Sequence, residues 1–330
     1  AVPQGIGNED LGWERELSYN LGTDISLFDR RLNFTFDIYL KKTTDLVLDA
    51  SRAPSTGTTS AKENIGEMEN KGLEFQVDGM LVQRNDFYWQ VAATGSMNRN
   101  RILKINSALK KANEDANKVD SKTPLAQYEE GESPSAWKVV KSAGIDPATG
   151  QEVFIKLNGE RTFEYSADDK FVIGDTEPKF RGTVSTNLFY KGFSLYLLGR
   201  YECGAYLYNT TRATKVEGAD PKKNADKRVF SSRWKNPGDI AFYKDIADSE
   251  GWGANPKHTD RFVEKENVFT LGTVNFGYEF GQNICSKIGV RNLRVGVNLT
   301  DIVRWSNVKI ERGTTYLYSN GFEFTLSTTF

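Results

Sequence analysis

The last ten residues constrain the fold most. Residues 321–330 place Phe322, Phe324, Leu326, Thr328 and Phe330 on one face and Glu323, Thr325, Ser327 and Thr329 on the other. Strict period-two alternation is the mark of a β-strand with one apolar and one polar face. The length matches the roughly 9–11 residues with which an outer-membrane barrel strand crosses lipid. One such strand also suits a soluble sheet, so the reading depends on whether the chain repeats it.

It does. Leu17, Tyr19, Leu21, Thr23, Ile25 and Leu27 alternate with Ser18, Asn20, Gly22, Asp24 and Ser26, and after a tight turn at 28–31 the same pattern holds for Leu32, Phe34, Phe36, Ile38 and Leu40. A loop is expected over 49–69. Further strands follow on Leu73, Phe75, Val77 and Leu81, then, past a turn at 84–86, on Phe87, Trp89, Val91, Ala93, Gly95 and Met97. Residues 102–178 read as a long polar excursion. It has a short helix within 108–117, two β-like runs at 137–140 and 153–156, and a turn at 146–150 whose residues suit turn positions. A calcium site at that turn would need more carboxylates than one turn supplies. Strands at 180–189 and 193–203 flank a turn at 190–192, a second long loop covers 208–265, and strands near 268–280 and 293–299 flank a medium turn. A loop over 302–319 with Trp305, Tyr316 and Tyr318 leads to the last strand.

About nine strands result, joined by shorter and longer links in alternation. In an up-and-down meander the short links then fall on one side and the long links on the other. Outer-membrane barrels have this asymmetry, with short periplasmic turns and long extracellular loops. Phe28, Phe87, Tyr190, Phe193 and Phe280 gather at the short-turn ends, as an interfacial aromatic girdle requires. The fold class expected is therefore all-β: part of an antiparallel transmembrane β-barrel.

Composition narrows the function. The net charge is −1, which gives no footing for nucleic-acid binding. Hydrophobic residues make up only 38%, and no stretch offers the roughly 18–20 apolar residues of a membrane helix, a test that leaves a barrel open. The single histidine, His258, sits in a loop-like context, and Cys203 and Cys285 form no metal or redox spacing. No phosphate loop or nucleophile elbow is present. Neither catalysis nor a cofactor is expected. The first residues, Ala-Val-Pro-Gln, read as the start of a processed product or fragment.

Several stretches carry a family resemblance: residues 8–14 (Asn-Glu-Asp-Leu-Gly-Trp-Glu), 27–32 (Leu-Phe-Asp-Arg-Arg-Leu) with Tyr39 and Thr43-Thr44-Asp45, and 64–74 (Asn-Ile-Gly-Glu-Met-Glu-Asn-Lys-Gly-Leu-Glu). Residues 143–150 (Ala-Gly-Ile-Asp-Pro-Ala-Thr-Gly), 178–182 (Pro-Lys-Phe-Arg-Gly), 233–239 (Arg-Trp-Lys-Asn-Pro-Gly-Asp), Asn298-Leu299 and the terminal Phe330 belong with them. Together they resemble the C-terminal barrel portion of SusC/RagA-type TonB-dependent outer-membrane receptors. The resemblance implies an energy-coupled importer of oligosaccharides or peptides. It implies a twenty-two-stranded barrel around an N-terminal plug, a link to TonB through that missing part, and a SusD-like surface lipoprotein as partner. Phe330 would be the C-terminal barrel-assembly signal.

Two functions fit the residues: a piece of such a transporter, or a non-transport all-β module that binds glycans at a surface. In either, Tyr206, Tyr208, Arg233, Trp234, Tyr243 and Trp252 are the candidates to stack on substrate, although packing between loops would use the same residues. Cys203 and Cys285 should lie at opposite ends of the wall and stay unbonded. The first and ninth strands run the same way, so they cannot close antiparallel. An odd number of strands, about thirteen by the resemblance, is expected to precede residue 1, leaving free edges at both.

Overall fold

The computed structural model describes residues 8–51, 60–220, 222–248, 256–310 and 319–330. Its frame is a nine-stranded antiparallel sheet built from β1 (Arg15–Leu27), β2 (Leu32–Ser51), β3 (Ser60–Arg84), β4 (Phe87–Ile105), β9 (Phe180–Tyr190), β10 (Phe193–Tyr208), β11 (Val263–Glu279), β12 (Asn292–Ser306) and β13 (Gly321–Thr329), paired in that order. Between β4 and β9 the chain leaves the sheet and forms α1 (Ser107–Lys118), then β5 (Ala136–Ile145), β6 (Glu152–Ile155), β7 (Arg161–Thr162) and β8 (Lys170–Asp175), a second sheet of order β7-β6-β5-β8. The helix is capped by Asn106, whose side chain accepts from the Leu109 amide at 3.0 Å.

Register explains the sequence pattern. One row crosses the wall as Thr23, Phe36, Phe75, Gly95, Gly182, Tyr201, Phe269 and Trp305. One residue along each strand lies Asp24, Thr35, Gln76, Thr94, Thr183, Arg200, Thr270 and Arg304, on the opposite face. The apolar face is open to its surroundings: Leu21 is 69% exposed and Phe324 72%. A soluble protein buries such a face, whereas a barrel wall presents it to lipid. Two glycines in the apolar row are covered by rings. A Cβ on Gly95 would stand 2.4 Å from the Phe75 ring, and the Tyr201 hydroxyl reaches across Gly182 to donate to the Thr94 carbonyl at 2.7 Å. Phe180 completes the cover, with its centroid 6.3 Å from Phe75 and 5.2 Å from Tyr201.

Most links fall as expected. Tight turns join β1 to β2, β3 to β4 and β9 to β10 at one end, and the long links from β4 to β9, β10 to β11 and β12 to β13 lie at the other. The β2–β3 link at that other end, however, is shorter than the β11–β12 link opposite it. The β1–β2 turn takes positive φ at Phe28, Asp29 and Arg30, and the β9–β10 turn takes it at Lys191 and Gly192, the two-residue hairpin whose twist matches the strands. The medium link holds α2 (Gln282–Cys285) and a further helical turn. Cys203 and Cys285 are both free; the Cys285 thiol is buried and donates to the Phe280 carbonyl at 3.4 Å.

The loop expected over 49–69 needs correction. β2 runs on to Ser51 and β3 begins at Ser60, so only a short connection remains. β12 likewise runs to Ser306 inside the loop expected from 302. Outside lipid the ladder needs backbone partners but no apolar face, so these strands continue where alternation stops. At the strand rise, the 25 residues of β3 span roughly 80 Å, far more than a bilayer needs.

Among the described residues the sheet does not close: β1 pairs only with β2 and β13 only with β12, leaving two edges.

Candidate functional site

Above the lipid-facing rows, the long loops build a body around one apolar cluster: Tyr208, Ala213, Val216, Tyr243 and Phe262, with Trp137, Phe242 and Val263 packed against it. Most of the aromatic and cationic candidates lie in or beside it. Tyr208 is 4% exposed, Tyr243 6%, Arg233 7% and Trp234 8%. Burial pushes the Tyr208 phenol's pKa up, and its hydroxyl has no hydrogen-bond partner among the described residues. Arg233 donates to the carbonyls of Val229 at 2.9 Å, Lys244 at 2.8 Å and Glu217 at 3.1 Å, and to that of Val216. All four of these bonds go to backbone carbonyls. Tyr243 accepts from Arg212 Nε at 3.1 Å, and Arg212 also pairs with Glu264 at 2.8 Å. These four side chains hold the loops together and present no open face to a ligand in this structure. Trp252, Tyr316 and Tyr318 lie outside the described residues, and Phe330 is exposed past the end of β13.

Trp234 shows why two distant stretches look like signatures. Its indole donates to the Pro147 carbonyl at 2.8 Å, and its ring lies on Gly150, where a Cβ would come within 2.5 Å. Gly150 also has φ +73°, a conformation that a side chain would strain. The Gly238 amide bonds to the same Pro147 carbonyl at 2.8 Å. Residues 143–150 and 233–239 are therefore two halves of one packing joint. Asp146 serves the turn itself: it accepts from the Thr149 hydroxyl at 2.7 Å and amide at 3.1 Å, and those bonds hold its carboxyl pKa below the ordinary value. Among the described residues no cluster of His, Cys, Asp and Glu could hold a metal.

The loop body turns on a residue that the sequence did not single out. Arg261 is clamped bidentately by Glu152, Nε to Oε1 and Nη2 to Oε2, both at 2.6 Å. Nη2 also reaches Glu217 at 2.5 Å, and Nη1 donates to the Phe242 carbonyl at 2.6 Å. The three charged side chains are 7%, 6% and 3% exposed. They join β6, the 212–217 turn and the entry to β11. Nothing in the local sequence marks them, because all three sit in polar stretches.

Tyr206 differs from the other candidates. It is half-buried, its ring lies against Gly174 of β8, and it borders a cavity of about 850 Å³. The cavity opens where the β4–β9 pairing ends at Ser96 and Arg181, so residues of both wall faces border it. Tyr39, Asn98 and Asn100 come from the polar face, and Tyr39 donates to Asn98 at 3.1 Å. Lys71, Arg99 and Lys179 stand against Glu132, Asp175 and Glu177 around the rim. A second hollow of about 300 Å³ lies on the polar face and includes Asp37, Glu74, Gln76 and Arg181.

Comparison with known proteins decides the family. The model of the TonB-dependent receptor-like β-barrel family matches residues 2–298. This chain belongs to that family. TonB-dependent receptor P3 of Formosa agariphila is 27% identical over 92% of the chain, and TonB-dependent receptor SusC of Bacteroides thetaiotaomicron is 24% identical over 84%. The chain spans 31% and 27% of those two relatives. Among solved structures, that of the RagAB peptide transporter superposes with a TM-score of 0.75 at 21% identity, over 92% of this chain and 33% of that one. The open-open state of the RagAB peptide importer gives 0.77 at 21% identity, over 99% and 36%. The SusC/RagA-type resemblance of the sequence agrees with these relatives. As a TonB-dependent receptor barrel portion, the sheet lies in the outer membrane, with its apolar face against lipid and its polar face toward the lumen.

Proposed function

We propose that this chain supplies part of the wall and the extracellular loops of an outer-membrane, TonB-dependent importer. Its work is passage and recognition, with no catalytic step. Residues 1–330 are one barrel portion, and the plug and the early strands belong to the rest of the receptor. A SusD-like lipoprotein would meet the loop body from outside, and TonB would act through the plug. The observation that carries this reading is the cavity at the top of the wall, next to a lumen face of Asp, Thr, Gln and Arg side chains. The cavity is lined by three cations, three carboxylates and, from the apolar row, Ile38, Leu73 and Met97. That mixture suits a peptide, with charged ends and mixed side chains, better than a neutral oligosaccharide, which asks for stacking platforms and neutral donors. Two relatives' names support import as the broader function: SusC is a TonB-dependent receptor and RagAB a peptide transporter.

The test is uptake by cells carrying the full receptor and its lipoprotein. Labelled oligopeptides should enter in a receptor-dependent way, and Tyr206→Ala should lower uptake about three- to tenfold, the worth of one stacking contact. Entry of oligosaccharides alone would overturn the peptide preference, and receptor-independent entry of both would overturn the function. The non-transport module makes a different demand: it would stay monodisperse without detergent, which the exposed Leu21 and Phe324 rows oppose.

A further inference from the structure

The apolar face of the wall does not end in the same way all round. On β10, β11 and β12 its upper outward residues are Tyr201, Phe269 and Trp305, an aromatic rim. On β2, β3 and β4 it ends in charge. Leu73 pairs with Met97 in the last apolar row, and one step up on the same face Leu40, Lys71 and Arg99 stand side by side. The next step carries Lys42, Glu69 and Arg101. From Val82 to Leu73 the apolar stretch of β3 covers nine residue steps, roughly 30 Å along the strand and about 23 Å of height at a 40° tilt. That is the height of a lipid-facing band, so Lys71, Arg99 and Arg101 stand where the headgroups of the outer leaflet begin.

The charges in this sector are not balanced within it. Lys42 pairs with Glu67 at 3.0 Å, and Lys71 lies 3.6 Å from Glu69. Among the described residues Arg101 gives only Nε to a partner, the Gly131 carbonyl at 2.9 Å. Arg99 is exposed and has no ion pair or hydrogen bond among the described residues, although Glu132 borders the same cavity. Two guanidinium groups two residues apart on one strand face stand about 7 Å apart, a span that one phosphate can bridge by accepting from both. Arginine suits this task through its fork of donors and its weak hydration.

We propose that Arg99 and Arg101, flanked by Lys71, form a binding site for a phosphate-bearing lipid of the outer leaflet, with its acyl chains lying on Ile38, Leu73 and Met97. Two observations choose this occupant: Ile38, Leu73 and Met97 form the lipid-facing row directly below Lys71 and Arg99, and once Lys42 and Lys71 are matched to Glu67 and Glu69 the two rows above it keep Arg99 and Arg101 in excess. The site rests on the outer-membrane placement of the wall, and because it shares Lys71, Arg99, Ile38, Leu73 and Met97 with the cavity, it competes with a peptide for those residues.

The experiment uses the full-length receptor purified in detergent. It is incubated with a bisphosphorylated outer-leaflet glycolipid and, separately, with the same lipid after enzymatic removal of its phosphates, and retention is read by native mass spectrometry. The phosphorylated lipid should be retained at least tenfold more strongly, with a preference that weakens as salt rises. R99Q/R101Q should abolish that preference while leaving retention of the dephosphorylated lipid unchanged, and R99K/R101K should restore part of it. Equal retention of the two lipids by the unaltered receptor overturns the proposal without reliance on any variant. Displacement by millimolar inorganic phosphate also overturns it, since it would mark a free-phosphate site. Loss of both lipids when the lipoprotein partner is added would assign the patch to that protein and overturn it as well.

Discussion

Replacing Arg261 by methionine tests what holds the loop body together. The guanidinium is 7% exposed and makes three contacts of 2.5–2.6 Å with two carboxylates that are themselves 6% and 3% exposed. Arg261→Met keeps the volume of the stem but leaves Glu152 and Glu217 buried without their cation. Breaking a buried pair in this way costs about 3–5 kcal/mol. The sheet's ladders do not depend on it, so the loss should appear as local opening rather than as collapse of the wall. Suitable reporters are the amides of Asn209, Trp234 and Asp245, which bond to Phe262, Tyr243 and Gly150 across the loop body at 2.7, 3.0 and 3.0 Å. Hydrogen exchange at these amides should quicken by about a hundredfold to a few thousandfold, at tenfold per ~1.4 kcal/mol, while β9 and β10 below Tyr201 exchange as before. The triple variant R261M/E152M/E217L removes the charges together and should return exchange to within about tenfold of the unaltered protein, because a buried triad and its apolar isostere are often close in stability. If the single variant exchanges like the unaltered protein, or if the triple variant is as damaged as the single one, the clamp is not what holds the loops.

Three further outcomes are expected. His258 bonds through Nε2 to the Ser121 carbonyl at 3.0 Å and stands edge-on to Tyr208, and burial lowers its pKa. The fold therefore favours the neutral ring: its contribution is full above the ordinary histidine value of about 6.5 and is lost as pH falls below it toward the lowered folded value. Protection at 256–262, taken as exchange relative to the intrinsic amide rate at each pH, should fall from pH 7 to pH 5, and H258Q should remove that dependence; a loss of protection that persists in H258Q would point to another group. Non-reducing peptide mapping should recover Cys203 and Cys285 as separate thiol peptides, and a linked pair would contradict the strand order. Residues 1–330 expressed alone should aggregate or stay unfolded in detergent, because open strand edges in lipid leave N–H and C=O groups unpaired at several kcal/mol each. A monomeric, protease-resistant product would show that the edges are tolerated.

The wall was legible because lipid imposes a simple rule. Each crossing strand must alternate, and each backbone group must find a neighbour, so rows such as Phe36, Phe75 and Phe269 could be placed on one face from spacing alone. The rule lapses above the membrane, and there the reading erred: β2 and β3 pair through polar residues where a loop was expected. In the loop body the rule gave nothing. Large aromatic residues in a polar stretch suit either a ligand platform or a core, and composition cannot separate the two. Tyr208 and Tyr243 went to the core because β10 and the return to β11 bring Phe262 and Val216 against them, contacts spanning residues 208–262 that no local pattern encodes. The parity of the meander, by contrast, follows from counting alone. β1 and β13 run in the same direction at opposite edges of an antiparallel sheet, so neither can be the other's partner in an antiparallel barrel. Closure needs an odd number of further strands between them. Because the lumen face of β1 already carries Asn20 bonded to Asp37 at 3.3 Å, the strand that joins it should continue that polar row inward and an apolar row outward beside Tyr19 and Leu21.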